Sequence, residues 1–369
     1  MIRPGVRRDR APGVIGFADA VVSPMLVVAL VTGLAAIVYR DQTMTEIVLL
    51  FGINAIMVVG FQTFVGNTGL VSFGHVAFMA LGAYGAAIVS IPALDKAYLL
   101  PDLPGFLARM ELGIVPALLV GGATAAVFAV LTGVALMRLS GAAASIATLG
   151  LLVITVNVLS QATRFTHGPR ALFGVPEYAT FGWVFGALAV VVFISAMFKW
   201  SRAGLRARAN RDDLIAAESA GVGSLGARLL PFALSAFITG IGGGLYGMLI
   251  TAFSPASFTI SLAVVVLTMA IVGGINSITG ALAGASLIAV LNEILRRVED
   301  GVDVAGIHIE AATGISGAVL GIALILTLRL RPAGLLSAYE FQLGLGSRPR
   351  VAEAPAPLAP ETTAASDER

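Results

Sequence analysis

Long uncharged stretches follow one another along the chain, and short charged segments separate them. Each stretch runs to the next charged residue: Ala20–Arg40, Ile47–Asp95, Leu112–Arg138, Leu139–Arg164, Tyr178–Lys199, Leu229–Glu293 and Ala311–Arg329. A helix needs about 20 apolar residues to cross the hydrocarbon core of a bilayer. By length, these stretches hold one, two, one, one, one, three and one such helices. We therefore predict an all-α fold, a polytopic membrane helical bundle with about ten transmembrane helices.

The last third of the longest stretch is the least regular part of this pattern. Gly, Asn and Ser interrupt Ser277–Leu295, so a re-entrant helix is the alternative to a full crossing there. Glycines at four-residue spacing let helix backbones approach closely where lipid gives no hydrophobic drive to association. The pairs are Gly240/Gly244, Gly243/Gly247, Gly280/Gly284 and Gly317/Gly321. We expect them at helix–helix contacts.

Composition and charge indicate a lipid environment and an orientation. Of the 369 residues, 57% are hydrophobic and 12% are charged, whereas roughly a quarter are charged in a soluble domain. With a cytoplasmic N-terminus and ten crossings, 16 of the 23 Lys and Arg residues fall on the cytoplasmic side, as the positive-inside rule favours. An even number of crossings also places the C-terminus inside, so the predicted topology is N-in/C-in.

The same pattern divides the chain into three parts. We assign residues 1–16 to a basic cytoplasmic N-terminus and residues 17–336 to a transmembrane domain with a long cytoplasmic loop at 201–228. The apolar run after the basic N-terminus is a full span with no small-residue cleavage pattern, so we do not interpret it as a signal peptide. Residues 337–369 are polar and rich in Pro and Ala, and we predict a disordered cytoplasmic tail.

The sequence lacks the residue patterns of several common catalytic and metal-binding sites. There is no cysteine, and neither Lys96 nor Lys199 follows the glycines of a phosphate-binding loop. His75, His167 and His308 form no zinc-binding pair on a helix, and there is no GxSxG nucleophile motif. We therefore expect no catalytic residues, no metal, no cofactor and no nucleic-acid partner.

Polar residues inside the apolar stretches are candidates for a substrate path. Gly, Asn, Ser and His interrupt Gly66–His75, and irregular backbone at membrane depth is tolerated only inside protein or beside a water-filled cavity. The candidate path residues are Asn67, Ser72, His75, Asn157 and Asn276. For each of them a structural role between helices is the alternative, and His75 is also a candidate helix-start or packing residue. Because no ionisable residue lies deep in a span, we expect transport to be powered from outside this chain.

One ionic segment, Arg206–Phe232, stands out in the middle of the chain. Asp212 and Asp213 precede the helix-forming run LIAAESA, where negative charge suits a helix N-terminus, and Gly221 would end it. Leu214, Ala217, Glu218 and Gly221 share one face of this predicted two-turn helix. The segment is either an ordinary basic loop or a docking surface for a cytoplasmic motor.

A series of motifs in this order resembles the permease subunits of branched-chain amino acid ABC importers, of the LivM type. The motifs are Gly66–Ala87, Ile146–Gly150, Thr166–Pro176, the NRDDLIAAESAGV segment, Ser254–Phe258, Val272–Ala285 and Arg331–Leu336. The resemblance implies a bacterial inner-membrane protein in lipid, a second homologous permease subunit, two cytoplasmic ATP-binding subunits and a periplasmic solute-binding protein. It also implies branched-chain amino acids or related small polar solutes as substrates, with urea and short amides as the alternative.

The resemblance further implies that loop 201–228 couples the permease to the ATPases. The implied coupling residues are Asp212, Asp213, Ala216, Ala217, Glu218 and Gly221. Ala216, Ala217 and Gly221 match the Ala-Ala and Gly of the family's EAA-type motif, whereas Ile215 occupies the position of its Glu. A stand-alone secondary transporter or channel is the rival hypothesis. It predicts flux through the purified chain without ATPase partners.

Overall fold

A computed structural model describes residues 14–38, 42–299, 302–304, 307–309, 315–331 and 334–335. The helices of 14 or more residues in this part are α1 Val14–Val38, α2 Gln42–Thr68, α3 His75–Ser90, α6 Ile114–Leu136, α7 Gly141–Gln161, α9 Phe181–Trp200, α12 Ser224–Ile250, α13 Ile260–Gly273, α14 Ile278–Glu299 and α15 Ile315–Leu330. The shorter helices are α4 Ala93–Leu99, α5 Gly105–Ala108, α8 Thr163–Thr166, α10 Arg202–Asp212 and α11 Leu214–Ser219. One 3₁₀ turn covers Pro255–Ser257, and β1 Val302–Val304 pairs antiparallel with β2 Ile307–Ile309.

Seven helices in the described part are long and apolar enough to cross a membrane, and an eighth is obtained if α3 and α4 count as one broken span. Two shorter apolar helical segments, Val21–Ile37 and Gly317–Thr327, accompany them. The prediction of a polytopic helical membrane protein is confirmed at this level. The small β1–β2 hairpin was not predicted. The basic N-terminal residues before Val14 and the predicted tail at 337–369 lie outside the described residues.

The irregular segment lies in a different place from the one predicted. Ser277–Leu295 holds one continuous helix, α14, so the re-entrant alternative there is wrong. The sharp break lies between α3 and α4, which are bent by 119°. Pro92 is the N-cap of α4, and the lack of a donor on proline favours such a break between helices.

Helix α12 lies at the centre of the bundle and packs against α2, α3 and α6. Its glycines allow this, because a Cβ on Gly243 would overlap the backbone of Met79, and a Cβ on Gly82 would overlap Gly240. Gly280 and Gly284 allow the same approach between α13 and α14. The predicted packing role is therefore confirmed for these glycines.

The described residues do not show this role for the pair Gly317/Gly321. Among the described residues, a Cβ on either glycine would meet no atom within 4 Å. Both lie on α15, whose partners in this part of the chain are α13 and α14. The four-residue spacing thus gives a close helix contact only where a neighbouring helix is present on that face.

Contacts between loops sort the helix ends into two groups. At one end, Leu172 and Phe253 form a β-bridge between the segments that follow α8 and α12. At the other end, Arg228 donates to Leu139 O, and Leu335 N donates to Val272 O. The ionic segment with α10 and α11 lies at this second end, beside the C-terminal ends of α2, α9, α13 and α15.

Candidate functional site

The ionic segment folds as two short helices with a sharp corner between them. Arg202–Asp212 forms α10 and Leu214–Ser219 forms α11. Asp213 is the N-cap of α11, and its side chain accepts a hydrogen bond from Ala216 N at 3.0 Å. Asp212 is the last residue of α10, so the placement of both aspartates at a helix start is wrong for Asp212.

Gly221 ends α11 as the sequence predicted. It has a φ of +81°, a left-handed conformation that glycine adopts without the Cβ penalty of other residues. Gly221 N donates to Glu218 O, and Val222 N donates to Ala217 O. These two bonds form a Schellman motif, which satisfies the last carbonyls of a helix.

The exposed surface of α11 differs from the predicted shared face. Ala217 is only 5% exposed and faces the protein, whereas Ile215 is 79% exposed. Ala216, Glu218 and Gly221 are exposed as well. The surface that a partner can reach therefore includes Ile215, Ala216 and Glu218, and the assignment of Ala217 to it is corrected.

Arg211, at the end of α10, contacts two distant segments. Its Nη1 donates to Gly66 O at 2.6 Å, near the C-terminal end of α2, and to Asn276 Oδ1 at 3.1 Å, in the turn between α13 and α14. The guanidinium also forms an ion pair with Asp212 at 3.0 Å. Hydrogen bonds from a cation to carbonyl groups are among the stronger ones in proteins. Arg211 lies in the ionic segment Arg206–Phe232, and nothing in the sequence of that segment pointed to these contacts.

Asn276 is a meeting point of two cations. Lys199, near the end of α9, donates to Asn276 O at 2.8 Å, while Arg211 donates to its side chain. Asn276 thus lies with the ionic segment. The hypothesis that grouped it with the other path residues did not anticipate this position.

Two glycines make room for these contacts. A Cβ on Gly66 would lie 2.6 Å from Ile275 O. Gly69 has a φ of +71°, and a Cβ there would lie 2.7 Å from Arg211 Cγ. We use the name cationic junction for Lys199, Arg211, Gly66, Gly69 and the turn Gly274–Asn276.

The C-terminal end of α15 completes this region. Leu335 N donates to Val272 O at 2.9 Å, and a Cβ on Gly334 would lie 2.5 Å from Gly274 Cα. The motifs that begin at Gly66, Asn210, Val272 and Arg331 are far apart in the sequence, yet they meet at one end of the bundle. This convergence is the main result that the sequence order could not reveal.

His75 lies in a packed aromatic cluster. It is the first residue of α3, is 2% exposed, and its Nε2 lies 3.0 Å from Ser235 Oγ on α12. The rings around it belong to Phe61, Phe64, Phe78 and Phe232, with centroids 5.0–6.4 Å from the imidazole. These neighbours are those of a residue that joins α3 to α12 within the core.

The remaining path candidates have different surroundings. Asn67 is buried and donates to Thr63 O within α2, and Ser72 Oγ accepts from Gly74 N in the turn before α3. Asn157 is exposed on α7 and donates to Val153 O of its own helix. It borders an open groove of about 450 Å³ with Ile154, Val158, Gln161 and Ala162. The structure therefore does not bring the five candidates together.

A comparison with known protein families identifies the chain. Residues 43–330 match the family model described as the branched-chain amino acid transport system permease component. The chain belongs to this family. It is a membrane permease subunit of an ABC importer for branched-chain amino acids, and a transport protein by family. Such permeases work with ATP-binding and solute-binding partners.

Two curated relatives agree with the family match. The permease is 26% identical over 339 residues to the LivM protein of Salmonella typhimurium strain LT2, covering 83% of this chain and 71% of the relative. It is also 26% identical over 354 residues to LivM of Escherichia coli strain K12, covering 87% and 76%. Both are called high-affinity branched-chain amino acid transport system permease proteins. No solved structure matches the permease significantly.

Proposed function

We propose that this permease moves branched-chain amino acids across a bacterial inner membrane together with a second homologous permease subunit, two cytoplasmic ATP-binding subunits and a periplasmic solute-binding protein. The observation that supports this most directly is the convergence of four motifs at the cationic junction, beside the exposed helix α11. A partner shifts a conformational equilibrium only through its different affinity for the two states. The ATP-binding subunits therefore need a surface whose position changes with the spans, and an exposed helix joined to the ends of several spans provides one.

The proposed topology has ten crossings with both termini in the cytoplasm. The grouping of helix ends by loop contacts supports it, since α2, α9, α13 and α15 all end where α10 and α11 lie. The Arg and Lys residues of α9–α10 give that end the charge expected of a cytoplasmic face. On this topology, loop 201–228 is the coupling loop, and the α4–α5 segment lies on the periplasmic side.

In the proposed coupling mechanism, the ATP-binding subunits grip the exposed side of α11. Ile215, Ala216 and Glu218 would contact them, Asp213 and Gly221 would fix the two ends of the helix, and Ala217 would hold it against the bundle. Asp212 would join the two short helices and pair with Arg211. Reversing a 1:99 population of two states needs about 5.5 kcal/mol of differential binding. A capped helix with fixed ends transmits such a force better than a loop.

For the path, we propose the outward face of α7 around Asn157. Asn157 and Gln161 lie one turn apart at the end of α7. A polar amide is costly against lipid, so this face suits contact with a second permease subunit across a polar passage. Asn67, Ser72, His75 and Asn276 then serve mainly to hold helices together. The groove in front of Asn157 supports this choice.

Reconstitution tests the proposed function. The complex of permease, ATP-binding subunits and binding protein in proteoliposomes is expected to accumulate labelled leucine only with internal ATP. Leucine flux through the permease alone in proteoliposomes distinguishes this function from the main rival, because flux without the ATP-binding subunits would mean a stand-alone carrier or channel. Accumulation of urea or acetamide in place of leucine would support the alternative substrate class.

A further inference from the structure

We propose that Arg211 is the positioning residue that transmits movement of α10–α11 to the cytoplasmic ends of α2 and of the α13–α14 pair. This inference rests on the proposed function, because it needs ATP-binding subunits that act on α11. It goes further by naming the contact through which their action reaches the spans. The contact consists of the two hydrogen bonds from Arg211 Nη1 to Gly66 O and Asn276 Oδ1.

The geometry links Arg211 firmly to the exposed helix. Arg211 is separated from the N-cap of α11 only by Asp212, and Asp213 N donates to Ala209 O, which continues the α10 bonding into the corner. The two short helices also contact each other directly. A force on α11 therefore reaches the Arg211 backbone through two residues of hydrogen-bonded chain.

The geometry also links Arg211 firmly to the spans. Its side chain is 24% exposed, and its aliphatic stem lies against Gly69, where a Cβ would collide with Arg211 Cγ. The carbonyl of Gly66 belongs to the last turn of α2, where a cation is favourable because the helix dipole is negative. The ion pair with Asp212 is less important, because Asp212 is 67% exposed and such surface pairs contribute little.

The two acceptors belong to different elements of the bundle. Gly66 lies on α2, which packs against the central α12 and also against α13 and α14, whereas Asn276 lies in the turn that joins α13 to α14. The guanidinium thus adds a polar link from α10 to both sides of the packed contact between α2 and the α13–α14 pair. Lys199 holds the backbone of the same turn from the end of α9, so the turn keeps one anchor when Arg211 is altered.

Arg211→Met is the main test, because methionine keeps an apolar stem beside Gly69 and removes every donor. Arg206→Met is the matched control, since Arg206 is exposed on the same helix and loses the same charge. In the reconstituted complex we expect Arg211→Met to hydrolyse ATP within about twofold of the unaltered complex while leucine uptake per ATP falls at least tenfold. The uptake per ATP of Arg211→Lys should lie between the values for Arg211→Met and the unaltered complex. Arg206→Met should have the same uptake per ATP as the unaltered complex.

Equal uptake per ATP in Arg211→Met and Arg206→Met would overturn the proposal. If Arg211→Met does not assemble, Asn276→Ala decides the question, because it removes one acceptor from an exposed turn and leaves the bond to Gly66. We expect at least a threefold lower uptake per ATP in Asn276→Ala. A ratio equal to that of the unaltered complex would count against the proposal.

A second measurement separates this proposal from the proposed function. The chain has no cysteine, so Ile275→Cys places a single thiol in the turn beside Gly66. We expect its maleimide labelling rate to change at least threefold when the complex is trapped with ATP and vanadate, in the Arg206→Met background but not in Arg211→Met. An equal change in both backgrounds refutes the role of Arg211. No leucine uptake by the unaltered complex, with the thiol response intact, would refute only the substrate.

Discussion

At the scale of single residues, the structure separates side chains that support the fold from those that face a partner. Ala217 and His75 are buried, whereas Ile215 and Asn157 are exposed. Residue type alone gave no means to distinguish these cases. The spacing of LIAAESA placed Ala217 and Glu218 on one face, but Ala217 is buried and Glu218 is exposed, because a six-residue helix does not reveal by its spacing which side turns toward the bundle.

Gly221→Ala tests the end of α11. Alanine in the left-handed conformation costs roughly 1–2 kcal/mol, so the Schellman bonds should weaken and the last turn of α11 should fray. We expect leucine uptake to fall several-fold with unchanged amounts of permease in the membrane. Gly223→Ala is the control, because Gly223 has a φ of −66° and, among the described residues, a Cβ there meets no atom within 4 Å. Equal uptake in both variants would contradict the capping role.

His75→Ala tests the aromatic cluster. Removing the imidazole leaves a cavity among four phenylalanines and breaks the contact with Ser235, and large-to-small core changes cost about 3–5 kcal/mol for an aromatic ring. We expect a lower unfolding temperature in detergent and an unchanged KM for leucine in whatever protein remains folded. A raised KM would place His75 in the path.

Asn157→Ala should give the opposite result, with a raised KM for leucine and an unchanged unfolding temperature.

At the scale of elements, the apolar pattern predicted helices well and their partners poorly. Stretch lengths gave the position of each long helix, because a span needs a continuous run of apolar residues. The folding of Arg202–Asp212 as a separate helix left no comparable signal, and only Pro92 marks the break between α3 and α4. Contacts such as Arg211 with Gly66 join positions 145 residues apart, and local periodicity does not encode which loop meets which.

Gly243→Ala tests the crossing of α12 and α3. The added methyl group would overlap the backbone of Met79, and since a backbone cannot move aside cheaply, overpacking of this kind costs about 1–3 kcal/mol. We expect a lower unfolding temperature in detergent. Gly226→Ala lies on the same helix, where a Cβ meets no described atom within 4 Å, and alanine there should be neutral or slightly stabilising. An unchanged temperature in Gly243→Ala would mean that the two helices are less close than described.

At the scale of the whole molecule, orientation in the membrane is the property on which every coupling argument depends. The proposed N-in/C-in topology places α11 in the cytoplasm and α4 in the periplasm. Ile215 on α11 is 79% exposed and Tyr98 on α4 is 83% exposed. Because the sequence contains no cysteine, a single substitution at either site gives the permease one thiol, and the label found on the purified permease reports the side on which that thiol lies.

Ile215→Cys and Tyr98→Cys should therefore react differently with a membrane-impermeant maleimide. In intact cells whose outer membrane is permeable to the reagent, we expect Cys at position 98 to label within minutes and Cys at position 215 to remain unlabelled. In cells that make the permease without its ATP-binding subunits, opening the inner membrane should make position 215 label at a similar rate, because both side chains are exposed in the chain. Labelling of position 215 from outside would invert the topology, and α11 and the cationic junction would then lie where no ATP-binding subunit could reach them.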